Sequence, residues 1–318
     1  MTAKDANYTF GEESTTWLAY TLENYLAFMP YQLGLLVTLI ILYFPVIAVL
    51  FVIYAVAVVV YTCKKIYKLP DDPDIESWRI PSQILTSVIN MLGKVWHGYE
   101  VFGMDNIPKG PAVLVYYHGA LASDYFFFVS TFLSTRGRLI RSVVERLFSH
   151  LPGLKTSLAT IGCGHWNREE CVALLKQGHL LGIAPGGLRE QNYGDNNYRL
   201  TWRKRQGFAQ IANEAKVPVI PIFTQNSREA CRVYGNIGPM RWLYERTRLL
   251  IFPMLGHFPV KLRTYVGEPI PYDPNVTTEE LFEKVKAAVE ALRDKHQKIP
   301  GSILSALWER FEVHRKEE

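Results

Sequence analysis

A histidine followed six positions later by an aspartate is the pair of side chains in this 318-residue sequence best suited to catalysis. His118 comes directly after the apolar run 111–117, which is typical of a buried strand, and Asp124 follows. A neutral imidazole can take a proton from an attacking hydroxyl, and a nearby carboxylate can fix its tautomer. The pattern therefore predicts a general base with its orienting partner. The alternative is that Asp124 only caps the aromatic helix that begins at Tyr125.

Signatures of several other kinds of active site do not occur in the sequence. There is no G-x-S-x-G, which argues against a serine hydrolase with a nucleophile elbow, and no P-loop, G-x-G-x-x-G or H-E-x-x-H. Cys163, His165 and Cys171 lack a fourth ligand and the spacing of a structural zinc site, so we predict no metal. A net charge of +5 without a dense basic stripe argues against a nucleic-acid partner, and four cysteines argue against a disulfide scaffold.

The N-terminal part contains an uncharged and almost wholly apolar stretch at residues 33–61. A helix of that length would measure about 44 Å, against about 30 Å for the hydrocarbon core of a bilayer. No basic flank precedes the stretch and no small-residue cleavage site follows it, so it is not a cleaved signal peptide. The stretch predicts insertion into a membrane, with a buried core helix as the alternative.

The topology of this stretch stays open because Pro45 lies at its midpoint. One interpretation is a single tilted and kinked span. The other, which we favour, is a shallow hairpin whose two ends lie on one side of the membrane. The basic run 64–68 follows, so the large C-terminal part is expected in the cytosol. A single span predicts that the sequon at Asn7 can be glycosylated and the one at Asn275 cannot, whereas a hairpin predicts neither.

The rest of the chain predicts one α/β domain, because short apolar runs alternate with helical patterns. The strand runs are residues 111–117, 139–144, 180–184, 219–224 and 260–266, and the helices are 169–177, 208–215 and 278–296, the last with a capping box at Thr277 and Glu280. Such alternation implies a parallel or mixed sheet flanked by helices, with the site beyond the carboxyl ends of the strands. We expect an N-terminal segment (1–30), a transmembrane segment or hairpin (31–63), a linker rich in Pro and Asp at 69–74 with an amphipathic helix (64–110), and the α/β domain (111–318).

Six sequence blocks in the α/β part follow one another in a characteristic order. They are residues 117–124 (YHGALASD), 162–168 (GCGHWNR), 185–189 (PGGLR), 205–209 (RQGFA), 217–221 (VPVIP) and 267–270 (GEPI). The order resembles that of the glycerolipid acyltransferases, whose blocks are N-H-x-x-x-x-D, G-x-x-x-x-x-R, P-E-G-x-R, a basic-glycine helix, V-P-[IV]-[IV]-P and G-x-P-I. Each block alone is weak, but six in order identify the chain as a member of this superfamily and residues 111–318 as its acyltransferase domain.

The chain departs from the family pattern at two positions. Five residues separate His118 from Asp124 where the family has four, so Ser123 occupies the usual aspartate position, and which of the two orients the imidazole stays open. Gly186 stands where the family has a glutamate that belongs to enzymes acting on glycerol-phosphate acceptors. The form P-G-G-x-x-E at residues 185–190 is instead similar to the second diacylglycerol acyltransferase family, whose members acylate neutral acceptors and insert a hydrophobic hairpin.

The resemblance implies a membrane-bound O-acyltransferase that converts mono- and diacylglycerol to triacylglycerol. His118 would act as general base on the acceptor hydroxyl, Asp124 would hold the imidazole, and no serine or cysteine would carry the acyl group. Backbone amides near Gly186 and Gly187 would stabilise the oxyanion. Glu190 would orient Arg189. The basic side chains that would bind the anionic head of the acyl donor are Arg168, Arg189, Arg203, Lys204 and Arg205. For the run 203–205, a solvated turn or attraction to anionic lipid is the alternative.

The resemblance also implies acyl-CoA or a membrane phospholipid as the acyl-donor substrate, with no bound cofactor. Membrane lipids are the expected partners, a regulatory membrane protein stays open, and the expected location is the endoplasmic reticulum membrane with the catalytic domain facing the cytosol. A phosphatidate-type acyltransferase competes, although Gly186 argues against it. A catalytically silent lipid-binding protein also competes, although His118 and Arg189 argue against it. A hydrolase in which His118 activates water would need the same groups.

Residues 239–259 mix aromatic, basic and apolar side chains and are predicted to lie in the membrane interface, where they would form the lipid entrance. The side chains expected at headgroup level are Arg241, Trp242, Arg246, Arg248 and Phe252. The alternative is an ordinary core helix. The apolar run 249–255 is too short to span a bilayer.

Overall fold

The protein is described by a computed structural model over residues 3–70, 76–146, 154–247 and 254–311. The α-helices in those ranges are α1 (Ala3–Tyr67), α2 (Arg79–His97), α3 (Ser123–Arg136), α4 (Leu154–Thr160), α5 (Arg168–Lys176), α6 (Gly187–Tyr193), α7 (Gly207–Ala215), α8 (Ser227–Ala230), α9 (Gly238–Thr247), α10 (Thr278–His296) and α11 (Ile303–Trp308). The strands are β1 (Glu100–Phe102), β2 (Ala112–Tyr116), β3 (Ile140–Val143), β4 (Cys163–Gly164), β5 (Leu180–Ile183), β6 (Val219–Gln225), β7 (Cys231–Val233), β8 (Met254–Gly256) and β9 (Arg263–Val266). Most of the predicted linker, residues 71–74, lies outside the described residues.

The N-terminal helix α1 runs without interruption for 65 residues and contains Pro30 and Pro45. The hairpin expected at Pro45 is therefore wrong. An internal proline removes one backbone hydrogen bond and kinks a helix, but the apolar residues around Pro45 supply no turn residue that would reverse the chain. Among the described residues, Tyr20–Tyr67 is long and apolar enough to cross a membrane. Its apolar side chains are largely exposed, as with Phe51 at 71%, which is the kind of surface that lipid covers.

Seven of the described strands form one mixed sheet in the order β1-β9-β6-β2-β5-β3-β4. Neighbouring strands are parallel except for β6 and β9, which are antiparallel. The predicted α/β class is confirmed, and the apolar runs predicted as strands coincide with β2, β3, β5, β6 and β9, of which β6 extends one residue further. The sheet also takes in β1, which lies upstream of residue 111, within the range predicted as linker and amphipathic helix.

The two faces of β2 pack into two separate hydrophobic cores. Val113 and Val115 belong to the core shared with α5, α7 and α10, whereas Leu114 and Tyr116 belong to the core shared with α1, α2, α3 and α4. Side chains alternate along a strand, so His118 falls on the same face as Tyr116. The long apolar helix α1 and the catalytic candidate therefore lie on the same side of the sheet.

The last long helix, α10, begins with the predicted capping box. The Glu280 backbone N–H donates to Thr277 Oγ1 at 3.2 Å, and the Thr277 backbone N–H donates to Glu280 Oε2 at 2.8 Å. These bonds satisfy N–H groups that have no partner inside the helix. The capping box pattern thus marked the start of α10 correctly.

Candidate active site

Three adjacent parallel strands bring the candidate residues to one edge of the sheet. β2 pairs with β5 on one side and with β6 on the other, so the carboxyl ends of the three strands meet. His118 lies two residues beyond β2, Gly186 lies in the turn after β5, and Arg228 lies on α8 directly after β6. The fold thus places a histidine, a glycine turn and an arginine around one point.

His118 is held as a neutral imidazole with a defined tautomer. Its Nδ1 lies 2.8 Å from the carbonyl oxygen of Gly119. A carbonyl only accepts hydrogen bonds, so Nδ1 carries the proton and Nε2 carries the lone pair. Burial lowers the pKa of His118 to about 4, and the charge of Arg228 acts in the same direction. At neutral pH the ring is therefore a base whose proton-accepting atom is Nε2.

Asp124 is buried near His118, but in the part of the chain that the structure describes no hydrogen bond joins the two side chains. Burial raises the pKa of Asp124 to about 6, and the Tyr125 backbone and Thr224 act in the opposite direction. A Cβ added to Gly119 would lie 2.8 Å from Asp124 Oδ1, so this carboxylate packs against the Gly119 backbone. Asp124 does not orient the imidazole in this structure, because it lies in the first turn of α3 and the Gly119 carbonyl accepts the hydrogen bond from His118 Nδ1.

Glu190 connects the histidine to the glycine turn. It is completely buried, and its two carboxylate oxygens accept from the backbone N–H groups of His118 and Thr201, both at 3.0 Å. Burial raises the pKa of Glu190 to about 7. A Cβ on Gly186 would lie 2.4 Å from the Glu190 side chain, so only glycine fits there, while the Gly187 N–H donates to a carbonyl within the turn.

Two of the arginines predicted to bind the acyl donor are engaged in ion pairs. Arg189 pairs with Glu245 at 3.0 Å, and Arg168 pairs with Glu214 at 2.8 Å. The prediction that Glu190 orients Arg189 is wrong, because consecutive helical side chains point in different directions and Glu190 points inward.

All three residues of the basic run after α6 are exposed, but one of them also holds the glycine turn. Arg205 donates to the carbonyl oxygens of Pro185 at 3.2 Å and Gly186 at 2.8 Å. Arg205 therefore fixes the glycine turn from outside. Arg203 and Lys204 are exposed, and within the described ranges neither makes an ion pair.

Arg228 is a central residue of the site that the sequence did not reveal. Its side chain is buried, and its Nε donates to the Tyr117 hydroxyl at 2.8 Å. Its other nitrogens donate to the carbonyl oxygens of Gln191 at 2.8 Å, His118 at 3.1 Å and Glu190. One guanidinium thus fastens the loop after β2 to helix α6. In the sequence, Arg228 is marked only by its position shortly after the apolar run 219–224, which is a weak indication of a functional role.

A mostly apolar cavity of about 610 Å³ opens beside His118. One wall comes from α1, including Phe44 and Val52, and another from α2, including Leu85. Ser123, the alternative orienter, also lines the cavity, and no hydrogen bond within the described residues joins it to His118. The volume lies within the ~300–1,000 Å³ of small-molecule sites. The arrangement can hold an apolar chain with its reactive end at an imidazole.

A second, smaller cavity of about 260 Å³ lies on the other side of the glycine turn. Its lining includes Arg168, Arg205, Asn167 and Trp166. Two guanidinium groups, an amide and an indole are the kinds of group that bind phosphates and a flat ring. Arg168 and Arg205 are therefore the two predicted donor-binding side chains that share a cavity.

The predicted membrane-interface residues are only partly described. Trp242 is 64% exposed, Arg246 lies 5.9 Å from the centre of its ring, and Arg241 lies 5.5 Å from the ring of Tyr193. Arg248 and Phe252 lie outside the described residues. The described part, on α9, thus presents an exposed indole beside two arginines, and its role at a membrane stays a prediction.

Comparisons with known proteins identify the family to which this sequence is similar. The family model described as Acyltransferase matches residues 98–225. A Gallus gallus protein named "DGAT1/2-independent enzyme synthesizing storage lipids" is 52% identical over 76% of this chain and 73% of its own length. The Homo sapiens protein of the same name is 45% identical over 91% of this chain and 90% of its own length.

Among solved structures, similarity is found to the 1-acyl-sn-glycerophosphate (LPA) acyltransferase PlsC from Thermotoga maritima. The TM-score is 0.47 and the sequence identity is 18%, over 82% of this chain and 93% of that chain.

Proposed function

Because this chain belongs to the glycerolipid acyltransferase superfamily, we propose that it transfers a fatty acyl group to mono- and diacylglycerol on a membrane and makes triacylglycerol. His118 is the general base of the transfer. The name of the 45% identical Homo sapiens relative, which describes an enzyme that synthesises storage lipids, supports this product class.

The observation that carries the proposal is the position of His118 on the wall of an apolar cavity partly formed by the membrane-type helix α1. A lipid acceptor has long acyl chains and one small polar end. The cavity accommodates apolar chains, and it offers the reacting end an imidazole whose Nε2 lone pair can accept a proton. The Gly186 position, where the Glu190 side chain leaves space only for glycine, supports a neutral acceptor over a glycerol-phosphate acceptor.

The reaction proceeds by direct transfer. His118 Nε2 takes the hydroxyl proton while the acceptor oxygen attacks the acyl carbonyl carbon, forming a tetrahedral oxyanion. Collapse of this intermediate breaks the bond to the donor's thiolate or alkoxide, which receives the proton back from the imidazolium. The Gly186 amide is the better candidate for the oxyanion, because the Gly187 N–H already donates within the turn. The donor head, an acyl-CoA or a phospholipid, binds at Arg168 and Arg205 in the smaller cavity.

The proposal is tested in cells that lack other triacylglycerol synthases. We would express the wild type and His118→Ala, feed labelled oleate and quantify neutral lipids and phospholipids. A His118-dependent rise in labelled triacylglycerol is expected, and a phospholipid that falls in parallel would identify the donor. A rise in phosphatidate instead would show a phosphatidate-type enzyme, and equal lipid profiles for the two proteins would contradict the proposed catalysis.

Enlarging a side chain on the α1 wall is expected to shorten the acyl chain that the enzyme accepts. Val52 lines the cavity and is half-buried, so Val52→Trp should lower transfer of oleoyl groups about tenfold relative to decanoyl groups. Val58 lies on the same helix and is 42% exposed, so Val58→Trp is the matched control and should leave the ratio unchanged. The measurement is competition between the two donors in isolated membranes. Equal ratios for both variants would show that α1 does not bound the acyl site.

The uninterrupted α1 also gives a prediction about topology. If the catalytic domain faces the cytosol of the endoplasmic reticulum, as we propose, a single crossing places Asn7 in the lumen. We expect a glycan that endoglycosidase removes and that Asn7→Gln abolishes, with Asn275→Gln as the control without effect. A shift that depends on Asn275 would indicate the reverse orientation, and no shift in either case would contradict the luminal position of Asn7.

A further inference from the structure

Two histidines that the mechanism does not use form a buried pair at the same cavity. His97 ends α2 and His257 follows β8, and both are at most 1% exposed. His97 Nε2 lies 3.3 Å from His257 Nδ1, with ring centres 4.8 Å apart. His257 lines the 610 Å³ cavity that also contains His118.

A backbone carbonyl fixes the protonation of both rings. His97 Nδ1 lies 3.1 Å from the Val260 carbonyl oxygen and must donate to it. Burial lowers the pKa of His97 to about 3 and that of His257 to about 4, so both rings are neutral. His97 Nε2 therefore holds a lone pair, and His257 Nδ1 must be the atom that donates to it. The remaining nitrogen, His257 Nε2, is left as a hydrogen-bond acceptor.

This acceptor is buried, and it has no hydrogen-bond partner among the described residues. The residue is held firmly in place, since the Trp96 indole donates to its carbonyl at 2.6 Å and its backbone adopts the left-handed conformation at φ 59°. A buried polar atom without a partner costs stability, so a ligand that supplies a hydroxyl to it gains binding energy.

We propose that His257 Nε2 accepts a hydrogen bond from a hydroxyl of the acylglycerol acceptor that is not acylated in that turnover. The proposal rests on the proposed function, in which His118 takes the reacting hydroxyl. A monoacylglycerol has two free hydroxyls, one for each histidine, whereas an acceptor with one hydroxyl leaves His257 unpaired. His257 is thus a specificity residue that favours acceptors with a second hydroxyl.

Two substitutions separate this role from mere packing. Asn places its amide near the position of the histidine Nδ1 and tolerates the left-handed backbone, so His257→Asn keeps a donor for His97 and removes the Nε2 acceptor. Gln reaches the Nε2 position, so His257→Gln returns an acceptor oxygen there and serves as the matched control.

The experiment compares two acceptors in membranes that carry each full-length protein. One is a monoacylglycerol. The other is the propanediol monoester of the same fatty acid, which has one free hydroxyl fewer. We expect the wild-type kcat/KM to be about tenfold higher for the monoacylglycerol than for the propanediol ester. This ratio should fall towards one in His257→Asn. In His257→Gln it should return to near the wild-type value. The ratio is internal to each protein, so a lower amount of folded variant does not change it.

Two results would overturn the inference. The first is a wild-type ratio near one, which needs no variant at all. The second is an unchanged ratio in His257→Asn, because an equal loss of activity on both acceptors would show that His257 only supports the fold. Failure of the proposed function has a different signature, because the wild type would then acylate neither ester or would do so without His118.

Discussion

Membranes that carry His118→Ala are expected to transfer acyl groups on the order of 10³-fold more slowly than membranes with the wild-type chain. The His118 imidazole carries its proton on Nδ1, so Nε2 is free to accept a proton beside the cavity. Alanine has no proton acceptor in its side chain. The hydrogen bond from the His118 backbone N–H to Glu190 does not involve the His118 side chain. The substitution should therefore leave the surrounding loops in place. The loss should therefore appear in kcat, with little change in the KM of the acceptor.

The control for this variant is a histidine at the amino ends of the strands, away from the site. His179 immediately precedes β5, far along the strand from the glycine turn, so His179→Ala should keep its rate within about threefold. Initial rates with labelled oleoyl donor, normalised to the amount of protein in the membrane, provide the measurement. Wild-type activity in His118→Ala would exclude general-base catalysis by this residue.

The wild-type rate should also depend on pH in a way that identifies His118. The active form is the neutral ring, and burial lowers its pKa from the ordinary 6.5 to about 4. The imidazole should therefore stay in its basic form as the pH falls from 8 to 5, and the rate should be lost as the imidazole is protonated near pH 4. Partial changes in rate between pH 7 and 6 would report Glu190 and Asp124, whose pKa values burial raises to about 7 and about 6. Complete loss of activity above pH 5 would contradict the prediction.

The features that the sequence predicted correctly are those encoded within short segments. The apolar runs at β2, β5 and β6 predict buried strands because each is apolar and bounded by turn residues. Thr277 and Glu280 specify the start of α10 through bonds only three residues apart. Placing His118 and Gly186 at strand ends follows from the same local patterns and from the rule for parallel sheets.

The remaining features depend on contacts between distant segments. Arg228 is a central residue only because β6 lies beside β2, which brings it to a carbonyl 110 positions earlier in the chain. The His97–His257 contact spans 160 positions and needs α2 to end where β8 ends. The hairpin prediction at Pro45 is wrong because a proline kinks or breaks a helix only locally, and the residues around Pro45 include no turn residue that would reverse the chain.

Arg228→Met is expected to have the largest effect on stability of any substitution in the site. The arginine is 2% exposed and donates to one hydroxyl and to three carbonyl oxygens, which methionine cannot replace. Each buried acceptor left without a partner costs about 1–3 kcal/mol. We expect the melting temperature of the detergent-purified protein to fall by about 10 °C or more, and the variant to be nearly inactive.

Arg228→Lys separates the charge of this residue from its geometry. Lysine keeps the positive charge that helps to lower the pKa of His118, but its single nitrogen cannot reach Tyr117, Gln191 and His118 together. We expect about a 100-fold lower kcat, with the acidic limb of the pH profile still near pH 4. For the fraction of Arg228→Met that remains folded, the acidic limb of the pH profile should move to higher pH. The reason is that this variant lacks the positive charge that opposes protonation of the imidazole. If the two variants share one pH profile, the Arg228 charge does not act on His118, and its contribution is limited to fastening the loop after β2 to α6.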